Sequence, residues 1–235
     1  MLVRDKKVFV KGVVLLVTFL VVLVLMFLPL FAGRNSLEAA DRLFNSICKR
    51  SIYILPDVIK KNELYKGKTF SANVKFKYPS MPDQASRILK ATEAKVSPSE
   101  AQFKVEGDLG TVLGAALSDS DAMFRNREQE VSARYGLSGK EALFCWWNLL
   151  KEVEKDLRRR SQFKEADWVS DVVNKGVEPG YNYFGIESES AGSEVGILTF
   201  SLIFYVIYTL WWGVAIMYLF EGMGLQLRAG AKKEV

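Results

Sequence analysis

Two stretches of the chain, residues 13–32 and 195–220, contain no Asp, Glu, Lys or Arg, and they bracket a polar middle of 162 residues. A helix rises about 1.5 Å per residue, so roughly 20 apolar residues match a hydrocarbon layer of about 30 Å. Both stretches reach that length. The expectation is a two-span membrane protein with short tails (residues 1–12 and 221–235) and one folded domain over 33–194.

The formal charge of +5 does not mark a nucleic-acid surface. Seven of the 32 basic and three of the 27 acidic residues lie in the tails, which leaves the middle with 25 and 24, close to balance. The excess belongs to the flanks of the spans, where Lys and Arg bias insertion. Arg4, Lys6, Lys7, Lys11, Arg228 and Lys232 flank the spans on the tail side, against Arg34 and Arg42 on the other. Both termini are therefore expected in the cytoplasm and the domain in the periplasm of a bacterial inner membrane. The first stretch exceeds a signal-peptide core and has Leu30 where a cleavage site wants a small residue, so it reads as an uncleaved signal-anchor.

The spans differ in content. The first is Val, Leu, Phe and Met with Thr18 as its one polar side chain. The second carries Trp211 and Trp212 near its middle, where an indole N–H finds no water, so a protein partner is one way to satisfy them. Gly213 and Ala215 lack the four-residue spacing of a close-packed dimer motif. Neither span carries the ionisable groups of a transport pathway.

Periodicity in the middle predicts an α+β domain, mostly helical with a small β-α-β-β sheet. Apolar positions from Leu37 through Ile59 suit a helix bent or broken at Pro56 and ending near Gly67. Alternation from Phe70 to Tyr78 predicts a strand closed by Pro79, and residues 83–94 a helix. A hairpin follows: a strand at 95–97, a turn at Pro98-Ser99-Glu100, and a strand with Phe103 and Val105 inward. Helices are then expected from Gly107 to Leu117, from Ser120 to Tyr135, and again over 162–174, with Glu178 through Gly185 as a link. Between these, Ser138-Gly139-Lys140-Glu141 is a capping box, and Leu143, Trp146, Trp147, Leu150, Val153 and Leu157 form an apolar stripe behind it.

No histidine is present, which removes Ser-His-Asp and Cys-His catalysis and His-ligated metals. Gly107, Gly110 and Gly114 fit no phosphate-loop spacing, and Asp119-Ser120-Asp121 lacks the other oxygen ligands of a calcium loop, so it reads as a helix cap. No catalytic, metal or cofactor site is expected. Cys48 and Cys145 are a candidate disulfide if the domain lies in an oxidising compartment, with two buried thiols as the other reading. Trp146 and Trp147 serve either as core or, with Trp211 and Trp212, as a partner contact. Tyr181, Tyr183 and Phe184, about ten residues before the second span, either seat the domain on the membrane surface or pack inside it.

The expected function is non-enzymatic: an accessory or assembly subunit of an envelope membrane complex, acting through its periplasmic domain and second span. Its partners would be the lipid bilayer and other membrane subunits, or further copies of itself. Tails of about a dozen residues are too short for output domains, so a sensor would signal through another chain. Two spans, short tails and a mixed periplasmic domain also make an architecture similar to polysaccharide co-polymerases, whose proline-rich approach to the second span is reduced here to Pro179.

Overall fold

Asp5 starts the first helix. In a computed structural model, which describes residues 3–98 and 103–225, its carboxylate accepts hydrogen bonds from the amides of Lys7 and Val8 at 2.9 and 3.1 Å. Helix α1 (Lys6–Phe27) thus begins seven residues before the apolar stretch and ends before Ala32, where the span was expected to stop. Leu28 is extended (φ −76°, ψ 149°), as its neighbour Pro29 demands. Ala32 and Gly33 then turn in the left-handed region, closed by paired backbone hydrogen bonds of 3.0 Å between Phe31 and Arg34.

Helix α2 (Ser36–Ser51) leads to α3 (Leu55–Asn62), and Pro56 sits in the first turn of α3, where its missing N–H costs nothing. Of the bend or break expected at Pro56, the chain shows a break just before it. Strand β1 (Thr69–Val74) stops short of Pro79, and α4 (Met81–Lys90) starts two residues earlier than expected, with Pro82 in its first turn. Strands β2 (Lys95–Pro98) and β3 (Phe103–Asp108) pair antiparallel; the expected turn at Ser99-Glu100 lies outside the described residues. The remaining elements are α5 (Leu109–Phe124), α6 (Glu128–Tyr135), α7 (Gly139–Arg159), α8 (Phe163–Val172), α9 (Glu178–Asn182) and α10 (Val195–Gly222). The protein is mostly helical with one small antiparallel sheet and two helices long and apolar enough to cross a membrane.

The chain divides into two compact units, one made of Met1–Cys48 with Ser188–Val235 and the other of Lys49–Glu187. In the first, α1 and α10 run antiparallel, since Phe9 meets Gly222, Gly12 meets Leu219, Leu15 meets Trp211 and Phe19 meets Tyr208. The amides of Arg4 and Asp5 both reach the carbonyl of Gly222, at 2.9 and 3.0 Å. Close approach rests on small residues: a Cβ on Gly222 would stand 2.6 Å from Phe9 Cα, and one on Gly12 would stand 2.7 Å from Leu219 N. Gly213, the glycine weighed from the sequence as a packing site, faces open space. Over the most apolar stretch of each helix, 6% of residues are buried.

The second unit is built around a sheet of order β1-β3-β2. Phe70, Ala72 and Val74 of β1 and Phe103 and Val105 of β3 are buried on one face, while Ser71, Asn73, Lys104 and Glu106 alternate outward. Helix α7 is the element on which the others pack, touching β1, α4, α5, α6, α8 and α9. Its capping box is present: the Ser138 hydroxyl accepts from the Glu141 amide and the Glu141 carboxylate accepts from the Ser138 amide.

Three sequence expectations are corrected in this unit. The break expected near residue 118 lies instead at 125–127, where Asn126 is left-handed (φ 60°), so α5 runs on through Asp119 and Ser120 and both are buried. Asp119 therefore caps nothing, and the cap of α5 is Asp108, which accepts from the Thr111 amide at 2.6 Å. The helix expected to end at Gly176 instead runs on, and the first part of the expected link is helical: a wide five-residue turn (Val173–Val177) carries α8 into α9 (Glu178–Asn182). Gly180 lets α9 lie flush on α5, since a Cβ there would stand 2.8 Å from the Ser120 carbonyl oxygen.

Candidate interaction sites

Asp119 is the most buried charged group of the second unit, with no exposed surface. Its Oδ2 accepts from the Tyr135 hydroxyl at 2.8 Å and the Trp146 indole N–H at 2.7 Å. Arg134 Nη1 stands 2.7 Å from Oδ1, an ion pair that is not aligned as a hydrogen bond. One carboxylate thus ties α5 to α6 and α7. Burial raises its pKa above 3.8, and the donation from Trp146, the charge of Arg134 and the donation from Tyr135 partly offset that. Trp146 is therefore core, and the partner-contact reading does not fit a fully buried ring whose donor is spent internally.

Trp147 points elsewhere. It is half-buried, donates its indole N–H to Glu178 Oε1 at 2.9 Å, and stacks parallel to the exposed ring of Phe144 at 6.5 Å. Phe144 in turn lies 6.1 Å from the exposed ring of Tyr78. Beside them the Lys140 ammonium sits 5.6 Å from the Tyr181 ring and 5.9 Å from that of Phe184. Of the aromatic trio before the second span, Tyr181 is exposed, whereas Tyr183 and Phe184 pack against the core. Two of the three thus pack inside the domain.

A second buried charge was not singled out from the sequence. Lys49 is 3% exposed, and its ammonium donates to the carbonyls of Ile186 (2.5 Å) and Tyr183 (3.0 Å) and to Asn126 Oδ1 (3.3 Å), 5.1 Å from the Phe124 ring. Burial lowers its pKa, against the pull of Glu187. The left-handed Asn126 accepts from the Gly185 amide at 2.8 Å and donates to Ile186 O at 3.1 Å. This knot fastens the first residue of the unit to its last few. Lys49→Met should cost the unit about 1–3 kcal/mol by leaving carbonyls unsatisfied; hydrogen exchange at the Gly185 amide should quicken while that of the β3 amides holds. No local pattern marks Lys49, because its partners are 77 to 137 residues away.

Within the helical pair, Trp211 is not waiting for a partner chain: its indole N–H reaches the Leu15 carbonyl at 3.1 Å, and the Tyr208 hydroxyl reaches that of Phe19 at 3.1 Å. Phe19 stacks on Tyr208 at 4.1 Å. Trp212 is exposed at 44%. Of the two cysteines weighed as a candidate disulfide or as buried thiols, Cys145 is buried, its pKa pushed up to about 12 by desolvation, and Cys48 lies on an exposed position of α2. Among the described residues no group of three or more Cys, Asp or Glu side chains is arranged to hold a metal ion. Comparison with protein-family models, curated proteins and solved structures finds no match for this chain.

Proposed function

We propose that this chain is a membrane-anchored, non-enzymatic accessory or assembly subunit of an envelope membrane complex, with both termini in the cytoplasm and residues 33–194 in the periplasm. The observation that carries the reading is the α1–α10 pair. Its apolar surface is almost wholly uncovered, and each Val, Leu or Phe left in water forfeits about 1.5–3 kcal/mol relative to burial. A bilayer supplies the missing environment. The antiparallel pairing supports a hairpin that brings both termini to one side, the side where Arg4, Lys6, Lys7 and Lys11 stand.

The non-enzymatic reading draws on the chemistry of the polar interior. Asp119 and Asn62, buried polar groups of the second unit, are both spent on neighbouring donors and acceptors: Asn62 donates to the Gly110 carbonyl at 2.7 Å and accepts from the Trp168 indole at 3.0 Å. The expected result for topology is alkaline phosphatase activity from a fusion after residue 100 and none from a fusion after residue 235. The reverse pattern overturns the placement. Mild-detergent purification of the full chain with mass spectrometry tests the role: unrelated membrane chains in stoichiometric amounts support an accessory subunit, and a pure homo-oligomer replaces that reading with the co-polymerase class.

A further inference from the structure

Three of the four aromatic rings that the described residues of the second unit leave exposed, Tyr78, Phe144 and Tyr181, are gathered on one face, while the fourth, Phe163, begins α8. On α7 the residues Lys140, Phe144, Trp147 and Lys151 recur at steps of four, three and four and so share one side of the helix. α9 extends that side, through the Trp147 bond to Glu178 and the seat of Lys140 on Tyr181, and Tyr78 extends it beyond Phe144. Tyr78, Phe144 and Tyr181 are 50%, 39% and 37% exposed, too open for a core and too close together for scatter. The charges beside them are ammonium groups: Lys140 on its two rings, Lys77 next to Tyr78, and Lys151, whose bond to Glu154 is a long 3.8 Å. Two carboxylates adjoin the face and both are occupied, Glu178 by the Trp147 indole and Glu154 by Arg158 at 3.0 Å.

Rings with one polar edge beside lysines match the headgroup level of a bilayer, where the ring body takes the apolar side and the ammonium meets phosphate. A helical peptide would want a groove between elements, and this face is a ladder of rings standing on one helix. Ten residues of chain separate Phe184 from Val195, where α10 begins, at most about 40 Å of extended backbone. The geometry points to the Tyr78–Phe144–Trp147 ladder and Lys140 as a docking surface for the anionic lipid surface of the membrane that holds the chain. This inference rests on the membrane reading of α1 and α10.

The test uses the full chain with Cys48→Ser, carrying Phe144→Cys labelled with an environment-sensitive fluorophore; the buried Cys145 does not compete for label. The protein is reconstituted into phosphatidylcholine vesicles with and without phosphatidylglycerol, recovered by flotation, and quenched with a headgroup nitroxide lipid. A label at Leu64→Cys, 73% exposed and away from this face, is the reference. Quenching at 144 is expected to exceed that at 64 by about twofold or more with phosphatidylglycerol. Lys140→Glu should abolish the excess and Lys140→Arg should keep it. Tyr78→Cys repeats the measurement without touching α7. Equal quenching at 144 and 64 in floated protein overturns the docking surface. So does shielding of 144 that follows protein density rather than phosphatidylglycerol, which would assign the face to a second copy. Failure to float overturns the membrane reading itself.

Discussion

Asp119→Ala is expected to destabilise the Lys49–Glu187 unit by about 3–5 kcal/mol, a large share of what a domain of this size has to lose. The substitution strands three groups at once: the Tyr135 hydroxyl and the Trp146 indole lose their shared acceptor and the Arg134 guanidinium loses its counter-charge. Two of them belong to residues with little or no exposed surface, so water does not replace the bond. Urea denaturation of the full chain in detergent, followed by tryptophan fluorescence, measures the loss. Asp119→Asn keeps the shape and one acceptor and should cost less, about 1–3 kcal/mol.

The same pair of proteins carries a pH signature. Because burial raises the Asp119 carboxyl above 3.8, the folded state holds that proton more tightly than the unfolded chain. Its favourable contribution is complete below pH 3.8 and fades as pH rises through the folded value. Asparagine does not ionise. The stability gap between wild type and Asp119→Asn should therefore be wider at pH 4 than at pH 7, all other titrating groups being common to both. A gap that widens toward neutral pH would show the Arg134 pair outweighing desolvation.

Gly222→Leu is expected to break the α1–α10 pair. The added side chain has no space: its Cβ alone would stand 2.6 Å from the Phe9 backbone, and the Gly222 carbonyl also holds the amides of Arg4 and Asp5. Overpacking of this kind costs about 1–3 kcal/mol when a side chain can yield, and here the obstruction is backbone. Disulfide trapping reads the outcome, using cysteines placed at Leu15 and Trp211, where the helices meet; the bridge should form readily in the parent and poorly in the variant. Gly213→Leu, at a position open to its surroundings, should leave trapping unchanged.

Much of the architecture is legible from periodicity because it is local. Charge-free length gives α1 and α10, the alternation from Phe70 to Val74 gives β1, and Ser138 with Glu141 fixes the start of α7 from four consecutive residues. What sequence reading misses depends on distance. Asp119 looks like a cap because Asp and Ser favour helix starts, whereas its partners on α6 and α7 are 16 and 27 residues on. Gly222 falls outside the second apolar stretch because Glu221 ends the charge-free run, yet α10 continues through it and packs there. Gly176, Pro179 and Gly180 look like helix breakers. Instead Pro179 takes a first-turn position and Gly176 and Gly180 are buried against α5. Of the site residues, Trp146 and Trp147 are adjacent in sequence and opposite in fate, since a step of about 100° around the helix sends one ring inward and the other toward α9.

Lys49 grips the Ile186 carbonyl, and so the 139-residue unit Lys49–Glu187 begins and ends at nearly the same point. A segment closed in this manner is topologically an insert: it interrupts a helical hairpin without demanding that the hairpin be split apart to accommodate it. Folding of the two parts need not be concerted. The hairpin can assemble around whatever is spliced into its loop, which makes the inserted portion a cassette that evolution, or an engineer, is free to lengthen, exchange or excise while the helical pair is kept.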